Sequence, residues 1–177
     1  QQHPSGKLSL QLDNMGISDQ LFISVTHALV ASSAAAKSAN AADPSNEDQA
    51  EEVFSDDSEE EDDDTVFLDV SGNRIGRKGL SALVDSLQKG VKLADLSLSK
   101  NCLSKCGAEL GSVILWGHDN LVHLDLSSCG ITDESMRSLT RGLYMLKDTS
   151  AKSRGFALRR LFLAENRMTD RSANSLT

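Results

Sequence analysis

The chain has 177 residues, 39% of them hydrophobic and 25% charged, with a formal net charge of −8. This is the length of one domain. No run of about 20 apolar residues occurs, so no membrane span is expected. Three cysteines, an odd count, form no disulfide framework.

Residues 1–6 are polar. Residues 7–30 read as a strand at Leu10-Gln11-Leu12, a turn at Asn14–Gly16, and a helix carrying Phe22, Val25 and Leu29. Residues 21–36 are apolar and small. No basic region precedes them and an acidic run follows, so they do not read as a signal peptide.

Residues 31–64 change character. Ala31 to Ala42 is nearly all Ala, Ser and Asn, and Asp43 to Asp64 holds 13 acidic residues and no basic one. With only Val53 and Phe54 as large apolar residues, the stretch cannot bury enough to offset its ordering entropy. It is expected to be a disordered acidic insertion between two repeats. Without residues 43–64 the chain keeps 18 basic and 13 acidic residues, a balance of +5. Two roles follow: recruiting a basic partner, such as a histone tail or a polybasic segment, or folding back over a basic face of its own chain. A solubilising loop is the plainer role. Ser55 and Ser58 sit among carboxylates, as an acidophilic kinase would require.

From residue 65 onward one pattern recurs. Leu68-Asp69-Val70, Leu96-Ser97-Leu98 and Leu124-Asp125-Leu126 follow one another at intervals of 28 residues. Asn73, Asn101 and Cys129 keep phase with them, as do Ile75, Leu103 and Ile131. Leu161-Phe162-Leu163, with Asn166 and Met168, arrives nine residues late, so an insertion at Lys147 to Phe156 is expected. In L-x-L the leucines point inward and their neighbours outward, because strand side chains alternate. The asparagine stands where the chain leaves the strand, and its amide can pair backbone groups that would otherwise be buried and unsatisfied. A cysteine there keeps the small size and a weak donor. Each unit then turns helical. Leu80, Leu83, Val84 and Leu87 share one face; Met136, Leu139 and Leu143 repeat it, and Ala108, Gly111, Ile114 and Leu115 do so loosely.

These residues resemble the leucine-rich repeat, whose signature L-x-x-L-x-L-x-x-N-x-L is met by Leu93 to Leu103. A 28-residue unit with a full helix is similar to the ribonuclease-inhibitor subfamily, found also in the GTPase-activating protein for Ran and in NOD-like receptors. The resemblance implies an α/β solenoid, a horseshoe with parallel strands on the concave face and helices on the convex face. It divides the chain into a divergent first repeat at 7–30, the acidic insertion at 31–64, and repeats over 65–177. A solenoid needs polar terminal caps, and the apolar helix face opening after Met168 suggests a fragment of a longer horseshoe.

The strand residues beside the inward leucines would line the concave face, which solenoids offer to partners. They are Ser9, Gln11 and Asp13; Phe67, Asp69 and Ser71; Asp95, Ser97 and Ser99; His123, Asp125 and Ser127; and Arg160, Phe162 and Ala164. Asp13, Asp69, Asp95 and Asp125 would form a loose acidic stripe ending at Arg160 and Phe162. Catalytic patterns are absent. The four histidines show no metal spacing, Cys102 and Cys106 lack a second ligand pair, and no glycine-rich phosphate loop occurs. The basic residues of the second insertion lack interleaved aromatics, which argues against nucleic acid. The expected function is a non-catalytic, cofactor-free protein-interaction module of a larger protein in the cytoplasm or nucleus. Two alternatives come from the resemblance: a GTPase-activating protein of the Ran-regulator type, with Arg74 as the loop arginine, and a nuclear chromatin scaffold of the tonsoku kind.

Overall fold

The computed structural model describes residues 8–40, 65–149 and 157–173. Strands and helices alternate strictly. They are β1 (Leu8–Gln11), α1 (Asp19–Asn40), β2 (Thr65–Asp69), α2 (Arg77–Gln88), β3 (Lys92–Ser97), α3 (Gly107–Trp116), β4 (His123–Asp125), α4 (Asp133–Thr149), β5 (Arg160–Phe162) and α5 (Asp170–Ala173). The strands form one parallel sheet in the order β1-β2-β3-β4-β5. Each helix packs on the next, α1 on α2 and so on to α5, in a single layer.

Register follows the leucines. Leu10, Leu68, Leu96, Leu124 and Leu161 are paired neighbours across the five strands. Leu68, Leu96 and Leu124 are buried, with Val70, Leu98 and Leu126 beside them. The helix layer closes the core with Phe22 and Leu29, with Leu80, Leu83 and Leu87, and with Met136 and Leu139. In α3 the expected face holds at Gly111, Ile114 and Leu115, but Ala108 is exposed, and Leu110 and Val113 join Ile114 in the core. They hold the i, i+3, i+4 spacing better, and they bury far more area than Ala108 could. The side chain of Leu143 lies outside the described residues.

Two boundaries differ from expectation. Residues 31–40 belong to α1, not to an insertion. Four alanines fall at 31–36, and alanine loses least on entering a helix. Ser33 also donates to Gly90 O on the neighbouring unit (3.4 Å). The acidic run lies in 41–64, outside the described residues. Likewise Lys147 to Thr149 complete α4, and the remainder of the second insertion, 150–156, lies outside them.

The asparagines do what their amides permit. Asn73 Oδ1 accepts from Ile17 N (2.8 Å), while its Nδ2 donates to Leu12 O and Val70 O. Asn101 accepts from Ile75 N (2.9 Å) and donates to Val70 O and Leu98 O. Asn166 accepts from Ile131 N (2.9 Å) and donates to Leu126 O and Leu163 O. Each amide thus ties its unit to the one before.

Cys129 breaks this series in one respect. Its thiol donates to Leu98 O (3.1 Å). Burial pushes its pKa up to about 11, so the thiol stays neutral. It offers no oxygen to Leu103 N, which bonds instead to the backbone carbonyl of Cys129 (3.0 Å). That carbonyl is turned toward the preceding unit where Gly130 adopts φ +70°, a left-handed value. The residues after the asparagines, Arg74, Cys102 and Arg167, have negative φ. Met15, at the same position in the first unit, is again followed by a left-handed glycine, Gly16 (φ +69°). Glycine after the turn therefore accompanies loss of the asparagine. A Cβ on residue 130 would meet only Ser104 Cβ at 3.6 Å, so its cost is conformational. Gly130→Ala is expected to destabilise the protein by about 1–2 kcal/mol. Chemical denaturation checks this, and an unchanged midpoint would show that the turn tolerates a side chain.

Carboxylates at helix starts link units as well. Asp19 accepts from Gly76 N (2.7 Å) and Gly79 N (3.1 Å). Asp133 accepts from the Ser172 hydroxyl, and from Thr169 N (2.8 Å) and Thr169 Oγ1 (2.7 Å). These bonds, the Ser172 hydroxyl first, lower its pKa to about 2. A depressed carboxyl pKa contributes stability above its unfolded value and loses it as pH falls through the folded one. The attachment of α5 should therefore weaken between about pH 4 and pH 2. Amide resonances of Thr169 and Ser172 should titrate at the lower value; titration near pH 4 would refute the contact.

Candidate functional site

The outward side chains of the sheet fall into rows. Ser9, Phe67, Asp95, His123 and Arg160 are paired neighbours in one row. Gln11, Asp69, Ser97, Asp125 and Phe162 form the next. Ser71, Ser99, Ser127 and Ala164 continue the ladder just past the strands, where their carbonyls accept from Asn14, Gly72, Lys100 and Ser128 N.

The register divides the expected acidic stripe. Asp69 and Asp125 share a row with Ser97 between them, whereas Asp95 stands in the row of His123. Asp13 lies beyond the end of β1, exposed, and accepts from Asn14 Nδ2 (3.1 Å). The reason is the period of two: residues one apart in column order cannot share a row. A bulge lies just before this stretch: Val66 pairs with Leu93 and Phe67 with Asp95, so Ala94 is an extra residue, while from Asp95 onward the pairs keep the 28-residue spacing.

The carboxylates are not equivalent. Asp69 Oδ1 accepts from Ser71 N (2.9 Å), and Asp125 Oδ1 from Ser127 N (2.8 Å). Each closes a local turn with one oxygen. Asp95 Oδ1 lies against Nδ1 of His123. That oxygen is shielded from solvent and has no other hydrogen-bond partner among the described residues. The repeat alignment held the signal for this pair, since Asp95 and His123 occupy the same position in successive units.

Around these groups the sheet curves into a depression of about 230 Å³, lined by Phe67, Asp69, Asp95, Ser97, His123, Asp125 and Phe162. Phe162 is 47% exposed at one end. Phe67 and His123 are half-buried. Arg160 is exposed at the end of its row. Arg74 is elsewhere, on the loop after β2, exposed beside Lys100 and Arg167. Among the described residues no cluster of His, Cys, Asp and Glu could hold a metal ion.

A family model described as a leucine-rich repeat matches residues 66–84 and 118–139, the units that begin at β2 and β4. The fold is an α/β solenoid of the leucine-rich repeat kind, and two of its units match that family model. Its repeats supply the α/β solenoid, and the depression lies on the strand face of that solenoid. No curated protein matches the chain in sequence. No helix among the described residues is long and apolar enough to cross a membrane.

Proposed function

We propose that the chain is a non-catalytic protein-interaction module whose strand face receives a protein partner. One observation carries this reading: among the described residues a fully parallel sheet has helices on one face only, and a half-exposed phenylalanine stands on the other. Parallel sheets are ordinarily covered on both faces. An exposed aromatic rimmed by polar groups is the usual composition of a docking surface. Phe162 is the apolar anchor. The carboxylates of Asp69 and Asp125 suit a basic side chain of the partner, and Asp95 and His123 line the depression with them. Helices of 12, 10 and 17 residues in three consecutive units support a place in the ribonuclease-inhibitor-like class of repeats.

The test uses a photo-crosslinking residue at Ser97 on the strand face and, separately, at exposed Gln88 on the helix side. Adducts are expected at position 97 and not at 88. The captured protein, once purified, should bind the native chain. It should lose about 2 kcal/mol of affinity, roughly 30-fold, on Phe162→Ala. Thermal unfolding should not change. Adducts confined to the helix side, or affinity indifferent to Phe162→Ala, would sink the proposal.

A further inference from the structure

The depression on the strand face narrows the chemistry of what it receives. At about 230 Å³ it is smaller than sites for small molecules ordinarily are. It has the scale of an inserted side chain. Asp69, Ser97, Asp125 and Phe162 are consecutive partners along one row, from β2 to β5. Adjacent strands stand about 4.8 Å apart, so two spacings, about 10 Å, separate Asp69 from Asp125. Between them stands the small side chain of Ser97, and beyond Asp125 stands the exposed ring of Phe162.

Charge along this row is one-sided. Asp69 and Asp125 are half-buried, and neither forms an ion pair with a described cation. In the next row His123 faces Asp95 and offsets it when protonated. Arg160 ends that row and does not line the depression. Both carboxylates of the first row are held in place, because Asp69 accepts from Ser71 N and Asp125 from Ser127 N.

We infer that the depression takes an arginine side chain of the protein partner, in preference to a lysine. The inference rests on the docking of a protein at this face, proposed above. A guanidinium is planar and carries five N–H donors that point to both sides, so over Ser97 it can bond to Asp69 and Asp125 together. An ammonium is a compact, strongly hydrated point charge and serves one carboxylate at a time. Beside Asp125 the guanidinium plane also stacks on the ring of Phe162. An acidic partner would be repelled here. A wholly apolar one would strip water from two half-buried carboxylates and return no bond.

The backbone N–H groups of Ser71 and Ser127 report on the two carboxylates, since they donate to them. The experiment follows both amide resonances in the isotope-labelled full chain at low salt. Three acetylated, amidated tripeptides are added in turn: Gly-Arg-Gly, Gly-Lys-Gly, and Gly-citrulline-Gly, in which the guanidinium is replaced by a neutral group of the same shape. The arginine peptide is expected to shift both resonances along a saturable curve, roughly 2- to 5-fold tighter than the lysine peptide. The citrulline peptide should leave them in place. In Asp69→Asn and in Asp125→Asn the side-chain oxygen can still close the local turn. Each change should bring arginine down to the level of lysine, and Phe162→Leu should weaken arginine more than lysine. Coincident arginine and lysine curves in the native chain would mark a merely acidic face and overturn the inference. So would citrulline binding as well as arginine, or an arginine peptide that shifts neither resonance. Unchanged resonances of the helix layer confirm that the variants remain folded. Crosslinking at Ser97 without a preference for arginine would remove this inference and leave protein docking standing. Adducts confined to Gln88 would remove both.

Discussion

Leu98→Ala should lower the free energy of unfolding by about 2–5 kcal/mol. Leu98 is 0% exposed, directly after β3, with its N–H bonded to Asp125 O (2.9 Å). Truncation leaves a void between sheet and helix layers that neighbouring repeats cannot close, because each is pinned by its own ladder. The midpoint in urea should fall while the slope stays constant. Ser97→Ala, one residue away on the open face, should change stability by less than about 0.5 kcal/mol. A Leu98→Ala protein as stable as Ser97→Ala would mean that the core is not organised around these leucines.

Asn101→Ala should rank with it. The change strips the acceptor from Ile75 N and the donor from Val70 O and Leu98 O, all buried bonds. Each buried group left without a partner costs about 1–3 kcal/mol. Asn101→Cys gives a sharper test. A thiol there could still donate, as Cys129 does to Leu98 O. It could not accept from Ile75 N, and Cys102 is no glycine, so the carbonyl of residue 101 could not turn to take over. Asn101→Cys should therefore cost nearly as much as Asn101→Ala. Adding Cys102→Gly should restore part of the loss. Denaturation midpoints decide it, and no recovery in the double variant would break the proposed link between cysteine and left-handed glycine.

Much of the architecture was legible because the repeat is a local rule applied several times. The spacing from Leu68 to Leu96 to Leu124 gives strand positions, inward faces and stacking neighbours together. The asparagines could be assigned a task because a side-chain amide offers one acceptor and two donors at a fixed point. The columns of outward residues also followed from alternation alone. The first unit was legible in spite of Met15, since Leu10, Leu12 and Ile17 keep phase.

Other features needed the folded chain. Alanine-rich residues 31–40 have no apolar face to reveal a helix, and their helicity rests on propensity and on the contact of Ser33 with the next unit. The acidic stripe was misjudged because one carboxylate per unit does not make a row: Asp69 and Asp125 follow the leucine that opens their L-x-L, whereas Asp95 precedes it and pairs with Phe67 and His123. The Asp95–His123 approach required two units to be laid side by side.

By itself the sequence determined the parallel sheet, the helix layer, the buried leucines and the bonding role of each asparagine, because all of these follow from periodicity and from the valence of single side chains. Tertiary structure alone decided which outward residues meet, which carboxylate oxygens are already spent on backbone N–H groups, and where uncompensated charge collects. Those depend on distances between units, and such distances are set by the packing of whole layers rather than by any residue's own neighbours in the chain.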